Sequence, residues 1–262
     1  MLQTGRKAAA RLARLVLRPV PIRVCSGPNR GMGWIVGAGI HQCWLGTYEG
    51  EKQRAIAKLV RPGMTLYDIG AHSGFYTLLF SRLTGAQGMV YSFEPCAFGL
   101  IFLLRHIQLN ELSNVRVVQA ALADARGLSP MSVGYDSYQN RLCAEERTPL
   151  LVPTITLDTF EGPPPDLIKI DVEGAAGKVL KGASRILSEA HPALFLALHG
   201  EEQRQECAVL LRAAGYGLYA LDGTHISGSI ETDEVVALPR GSVSARTLAS
   251  RSRTSLKAHA PS

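Results

Sequence analysis

One seven-residue stretch, Asp68-Ile69-Gly70-Ala71-His72-Ser73-Gly74, constrains what this chain can fold into more than any other. A short apolar run, Met64 to Ile69, leads into it, and a helical pattern, Phe75 to Leu83, leaves it and stops near Gly85. A strand that passes straight into a helix through a glycine-rich bend opens a βαβ unit, because the helix must double back across the sheet before a parallel strand can start. The next strand is legible at Met89 to Phe93, and the alternation continues. Phe98 to Leu109 reads as helix, Val115 to Gln119 and Leu167 to Ile170 as strands, Lys178 to Leu187 as helix, Ala193 to Leu198 as a buried strand, and Glu201 to Ala214 as a charged helix. Tyr216 to Leu221 and Glu234 to Leu238 form a closing pair of strands. The pattern predicts an α/β fold: a mostly parallel seven-stranded sheet with helices on both faces.

Upstream of the turn, Glu51 to Val60 fits an amphipathic helix with Ile56, Leu59 and Val60 at core spacing, ended by Arg61-Pro62-Gly63. Gly27 to Gly39 has no usable period and reads as loop. Ser129 to Arg147 is polar, aromatic-containing and irregular, and long irregular segments in compact domains tend to carry function. A chain of 262 residues with 46% hydrophobic content accommodates one sizeable core. The expected organisation is a basic N-terminal arm and lid region over 1–46, one domain over 47–239, and a basic, disordered tail over 240–262.

The formal net charge of +6 points to a nucleic-acid or acidic-membrane partner until its location is considered. Seven basic residues lie in the first thirty and five in the last twenty-four, with no acid in either; of 28 basic residues, 16 remain between them against 22 acids, so the central body is acidic. An acidic body does not cradle a phosphate backbone, which argues against nucleic acid as partner. The arm from Arg6 to Arg18 places Leu12, Leu15 and Val16 on one stripe and Arg11, Arg14 and Arg18 on another; this could make peripheral membrane contact, serve as a targeting segment, or be a plain surface helix. No stretch approaches the roughly 20 apolar residues that span a bilayer. The five cysteines, Cys25, Cys43, Cys96, Cys143 and Cys207, are scattered and odd in number, without zinc-ligand spacing. They read as idle thiols in a reducing compartment, so the expectation is a cytoplasmic protein without a metal site.

Ligands of an open parallel sheet collect beyond the carboxyl ends of its strands. At that edge Gly70 allows a tight turn and close ligand approach, Gly74 lets the helix start close against the sheet, and Asp68 can bind a hydrogen-donating group. A dinucleotide-binding turn needs a second glycine where His72 stands, which disfavours an NAD(P)-dependent oxidoreductase and leaves His72 to shape the pocket. Glu94 ends the next strand, where a carboxylate accepts hydrogen bonds from both ribose hydroxyls, although a solvated strand end would look the same. Asp124, after the third strand, is offered to an adenine amine or caps a turn. Together these favour an adenosine-containing ligand. Asp171 and Glu173 follow the fourth strand and face the transferable group and acceptor; the dipole of the following helix alone favours an acidic pair there by about 0.3–1 kcal/mol. His199, just past Leu194 to Leu198, reaches the same rim as a candidate general base or an ordinary polar histidine.

The strings DIGAHSGFYT, FEP at Phe93 to Pro95, TLD at Thr156 to Asp158, and IKIDVEGAAGKVLKGA from Ile168 to Ala183, in that order, resemble the FkbM family of methyltransferases. The resemblance runs from about Tyr48-Glu49 to Gly200. It implies a Rossmann-like class I methyltransferase fold, S-adenosyl-L-methionine as cofactor, and O-methylation of a small-molecule, sugar, glycan or secondary-metabolite hydroxyl. Cofactor roles then fall to Asp68, Gly70, Gly74, Glu94 and Asp124, with Asp171 and Glu173 in the acidic motif. The chain departs from the family where His72 replaces an asparagine and where Ala176 and Ala197 replace glutamates. That loss keeps a non-catalytic scaffold protein of the same fold as an alternative. Asp171-Val172-Glu173-Gly174 also stands where amino-methylating nucleic-acid enzymes carry an Asn/Asp-Pro-Pro-aromatic motif.

Overall fold

The computed structural model of the chain describes residues 20–132, 141–142 and 150–242, with residues 244, 247 and 248. The basic arm from Arg6 to Arg18 and Cys143 lie outside the described residues. In chain order the elements are β1 (Pro21–Arg23), β2 (Gly33–Ile35), α1 (His41–Leu45), α2 (Gly50–Leu59), β3 (Thr65–Ile69), α3 (Phe75–Thr84), β4 (Met89–Phe93), α4 (Ala97–Leu109), β5 (Val115–Val118), β6 (Ala121–Leu122), β7 (Gly127–Ser132), β8 (Arg141–Leu142) and β9 (Leu150–Ile155). Then follow β10 (Leu167–Asp171), α5 (Ala176–Lys181), α6 (Ser184–Glu189), β11 (Ala193–Ala197), α7 (Glu201–Ala213), β12 (Tyr216–Tyr219) and β13 (Glu234–Pro239).

The main sheet has seven strands in the order β12-β13-β11-β10-β3-β4-β5. β3, β4, β5, β10 and β11 run parallel, and β13 inserts antiparallel between β11 and β12. Strand order reverses between β3 and β10, so the carboxyl ends of these two strands flank the crevice where such sheets take ligands.

Side chains alternate across each strand, and the two cores follow that period. Tyr67, Ile69, Ile168, Ile170, Leu194 and Leu196 pack against α5, α6 and α7. Leu66, Leu167, Phe195 and Val236 face the other way, against α2, α3 and the β1–β2 hairpin. That hairpin replaces the loop expected over Gly27 to Gly39, and it belongs to the core: Trp34 is fully buried. Leu248, within the segment expected to be disordered, is also fully buried.

Two further differences have clear causes. The single helix expected from Lys178 to Leu187 is two, broken at Gly182, where a Cβ would lie 2.1 Å from the carbonyl oxygen of Ala123. The second half is capped from a distance, since the Asp158 carboxylate accepts hydrogen bonds from the backbone N–H of Arg185 and of Ile186, each at 3.0 Å. Between β5 and β10 the chain forms a second sheet, ordered β6-β9-β7-β8. It takes up Ser129 to Ser132 from the segment expected to be irregular.

His106 of α4 ties the hairpin to the glycine turn. Its Nδ1 donates to the carbonyl of Ser73 at 2.7 Å, its Nε2 accepts from the N–H of Ile35 at 2.9 Å, and its ring stacks on Trp34 with centroids 4.1 Å apart. Burial pushes its pKa down to about 4, against the pull of the Ser73 carbonyl, so it is neutral in the folded protein. Because the unfolded chain binds this proton near pH 6.5, stability is full above that pH and falls as pH drops toward 4, by up to about 3 kcal/mol. H106F, which also orphans two buried backbone groups, is expected to cost about 2–4 kcal/mol at pH 8 and to remove that acid slope, both read from denaturant titrations at several pH values. D158A is expected to cost about 1–2 kcal/mol through the lost cap, read the same way.

Candidate active site

A cavity of about 260 Å³ lies along the carboxyl edge of the main sheet, close to the ~300 Å³ lower end of small-molecule pockets. The glycine turn forms one side. Gly70 has φ of 74°, and a Cβ there would lie 2.0 Å from the carbonyl oxygen of Asp171, so only glycine lets the ends of β3 and β10 approach this closely. His72 follows in the left-handed region at φ 49°, which explains why an asparagine or a histidine is favoured at this position. Its backbone N–H donates to Glu94 Oε2 at 2.7 Å, and the N–H of Cys96 donates to Glu94 Oε1 at 2.8 Å. The carboxylate at the end of β4 is therefore aimed by two amides, and each oxygen keeps a second lone pair. Burial raises its pKa to about 6, against those two amides and Lys169.

Register builds the floor. Lys169 of β10 pairs with Asp68 of β3, which pairs with Ser92 of β4, so the three side chains share the face covered by α3. The Lys169 ammonium lies 3.2 Å from Asp68 Oδ1, 3.5 Å from Asp171 Oδ2 and 3.1 Å from the carbonyl oxygen of Gly70. Asp68 also accepts from Thr77 Oγ1 at 2.7 Å and is wholly buried, so it braces the floor instead of meeting a ligand as its place at the strand end implied. Burial works against the charge on Lys169, yet Asp68 and Asp171 outweigh it and hold the pKa above the usual lysine range.

Two residues further along, the next row on this face reads Asp171 on β10, Ala197 on β11 and Glu234 on β13. Ala197 lacks the carboxylate that the family resemblance places there, and Glu234 brings one to the same edge from the adjacent strand. Glu234 Oε1 lies 2.5 Å from the ammonium of Lys52 on α2, which also reaches Glu49 Oε2 at 2.6 Å. Tyr76 of α3 donates its hydroxyl to the same Glu49 carboxylate at 2.5 Å. Glu49 sits at φ 46°, a strained conformation for a glutamate, and lines the cavity with Tyr48 and Tyr76. Burial pushes Glu234 up to about 7, against Lys52.

His199 closes the far rim, its backbone N–H fixed by Gln203 Oε1 at 2.6 Å. Nε2 stands 3.8 Å from Asp171 Oδ1 and 3.7 Å from Glu173 Oε1, ion-pair distances longer than hydrogen bonds. The Asp171 carboxylate raises the imidazole pKa, burial lowers it, and Glu173 raises it further, with a net upward shift. Burial opposes ionisation of Asp171, but Lys169 and His199 prevail and hold it well below the usual carboxylate range.

Of the residues singled out in the sequence, the structure gathers Gly70, His72, Glu94, Asp171, Glu173 and His199 around one cavity. Two others stand apart. Gly74 caps α3, and a Cβ there would lie 2.6 Å from Leu103 Cδ1, so its role is close packing against α4 rather than the sheet. Asp124 is exposed and outside the cavity lining, near Lys181, because β6 turns the chain away to pair with β9. Of the segment expected to be irregular, residues 133–140 and 143–147 lie outside the described residues. Sequence reading passed over Tyr48, Glu49, Lys52, Tyr76, Lys169 and Glu234. Charged residues inside apolar strand and helix patterns, Lys169 and Lys52 above all, were the available signal.

A family model described as the methyltransferase FkbM domain matches residues 68–218. Among solved structures, the chain is similar to the methyltransferase FkbM from Methylobacillus flagellatus KT, with 20% identity and a TM-score of 0.50 over 67% of this chain and 43% of that one. It is also similar to a SAM-dependent O-methyltransferase from Thermotoga maritima, with 12% identity and a TM-score of 0.47 over 73% of this chain and 64% of that one. A putative methyltransferase from Streptococcus mutans in complex with SAH gives 13% identity and a TM-score of 0.43 over 71% of this chain and 92% of that one. This chain thus spans less than half the length of the first of these. No curated protein sequence matches the chain. Among the described residues no helix is long and apolar enough to cross a membrane. With more than half of its length matched, from Asp68 in β3 to Leu218 in β12, the chain belongs to the FkbM family of methyltransferases.

Proposed function

We propose that this cavity binds S-adenosyl-L-methionine and that the protein methylates a hydroxyl of a small-molecule or glycan acceptor. The observation that carries the reading is the cavity itself, which runs from an aimed carboxylate, Glu94, across the strand-order reversal to the His199–Asp171–Glu173 cluster. The residues fit the cofactor. Gly70 leaves backbone exposed where a Cβ is excluded, the free lone pairs of Glu94 suit a ribose diol, and Ala120, Leu122 and Met131 line an apolar stretch beside it for a flat base.

When bound, S-adenosyl-L-methionine supplies a methyl group already activated on a sulfonium. The protein has to align the acceptor oxygen, remove its proton and keep water out. His199 is the group placed to take that proton, with Asp171 and Glu173 stabilising the imidazolium that results; such assistance is worth roughly 10²–10⁴-fold. Tyr48 and Tyr76 offer ring faces and Glu49, Glu173 and Glu234 offer acceptors, a combination suited to an uncharged, hydroxyl-rich molecule.

E94Q is expected to weaken S-adenosylhomocysteine binding about 10–100-fold by calorimetry, the size of a charged hydrogen-bond pair. In the wild type, affinity is expected to fall as pH drops through 6, where the carboxylate of Glu94 takes up a proton, and E94Q is expected to lose that step. For transfer, the rate is expected to rise with pH through a midpoint above the ordinary histidine value, because only neutral His199 accepts a proton. H199A should lower turnover about 10²–10⁴-fold with cofactor binding intact, and D171N should move the midpoint down. Unchanged turnover in H199A, measured with an acceptor found by panel screening, removes His199 from the mechanism.

A further inference from the structure

The charge around the cavity is unbalanced. Six carboxylates line or brace it: Glu49, Asp68, Glu94, Asp171, Glu173 and Glu234. Two buried ammonium groups answer them, Lys52 at 1% exposure behind the wall and Lys169 at 3% within the cavity lining. Each is already divided between two carboxylates, Lys52 between Glu49 and Glu234, Lys169 between Asp68 and Asp171. Even with His199 protonated, the local balance stays negative by three charges, six carboxylates against three cations. Most of the excess sits away from Glu94. Asp171, Glu173, Glu49 and Glu234 gather at the His199 end, and Asp171 and Glu234 are two strand spacings apart, about 10 Å. The second oxygen of Glu234, Oε2, is buried and has no hydrogen-bond partner among the described residues. Nor do three of these groups come together in a metal-binding arrangement among those residues.

Resting on the donor reading above, we infer that this wall reads the charge of the donor: it holds the sulfonium cation of S-adenosyl-L-methionine more tightly than the neutral thioether left after transfer. Donor and product share adenosine and aminoacyl parts, so contacts made to those parts cancel between them. What differs is one methyl group and one positive charge. A ligand shifts an equilibrium only by its differential interaction, and here that difference is the sulfonium against the carboxylate excess. One uncompensated unit charge at roughly 10 Å and an effective dielectric near 20 is worth about tenfold in affinity. A sulfonium is bulky and weakly hydrated, so its desolvation offsets little of this. Transfer then turns the sulfonium into a neutral thioether and leaves the acceptor proton on His199, so the ligand loses the charge that favoured it.

The test is calorimetric titration of three ligands into the full chain at pH 8 and low salt: S-adenosylmethionine, S-adenosylhomocysteine and sinefungin, which carries an ammonium in place of the sulfonium and transfers nothing. Both cationic ligands are expected to bind about tenfold tighter than the thioether. The gap should narrow several-fold in 0.5 M salt and in E234Q. E173Q, at a half-exposed position outside the Lys52 network, should narrow it too and serves if E234Q folds poorly. Tighter or equal binding of S-adenosylhomocysteine, or a gap that salt and both variants leave unchanged, overturns the inference while leaving the donor reading standing. Failure of all three ligands to bind overturns the donor reading and the inference with it.

Discussion

A lysine ammonium buried inside a parallel sheet is the contact on which the rest of this site depends. Taking a charge out of water costs several kcal/mol, and only close, well-placed partners offset it. Lys169 has them because of register: Asp68 lies beside it on β3, Asp171 two residues on along the same face, and the Gly70 carbonyl at the bend between. One cation therefore ties the glycine turn on the cofactor side to the carboxylate on the acceptor side. It also explains why Asp68, the residue that opens the family match, is hidden under the floor instead of facing the cavity.

The same device is repeated at the other end. Lys52 on α2 is buried between Glu49 and Glu234, and Tyr76 of α3 adds a hydrogen bond to Glu49. These three acidic and basic side chains come from the segment before the first strand of the main sheet and from its last strand. Between the two lysines the carboxyl edge is lined with carboxylates that outnumber these buried counter-ions. Behind the turn, neutral His106 joins Ser73 to the β1–β2 hairpin, so the face that presents Gly70 and His72 is supported from both sides.

Much of this was legible in the sequence, and the gaps have physical causes. All seven strands of the main sheet and its major helices follow from period and punctuation, since each buries an apolar face of standard length. The second sheet was not legible: β7 and β9 each carry a proline, β8 is two residues long, and the pairing is non-local. The need for glycine at the break, Gly182, was missed because the Ala123 carbonyl that excludes a Cβ there lies far away in sequence. Asp124 was misplaced for a similar reason, since nothing local shows that β6 leaves the main sheet to join β9.

The sequence by itself determined the alternation, the glycine bend, and the strand-end positions of Glu94, Asp171, Glu173 and His199, because those depend on local spacing and on side chains within a few residues. Only the tertiary structure decided which side chains meet. The insertion of β13 between β11 and β12 brings Glu234 opposite Ala197, and strand register sets Lys169 against Asp68. Electrostatic partnership depends on distance in space, and a chain folded back on itself fixes that distance only once its strands are paired.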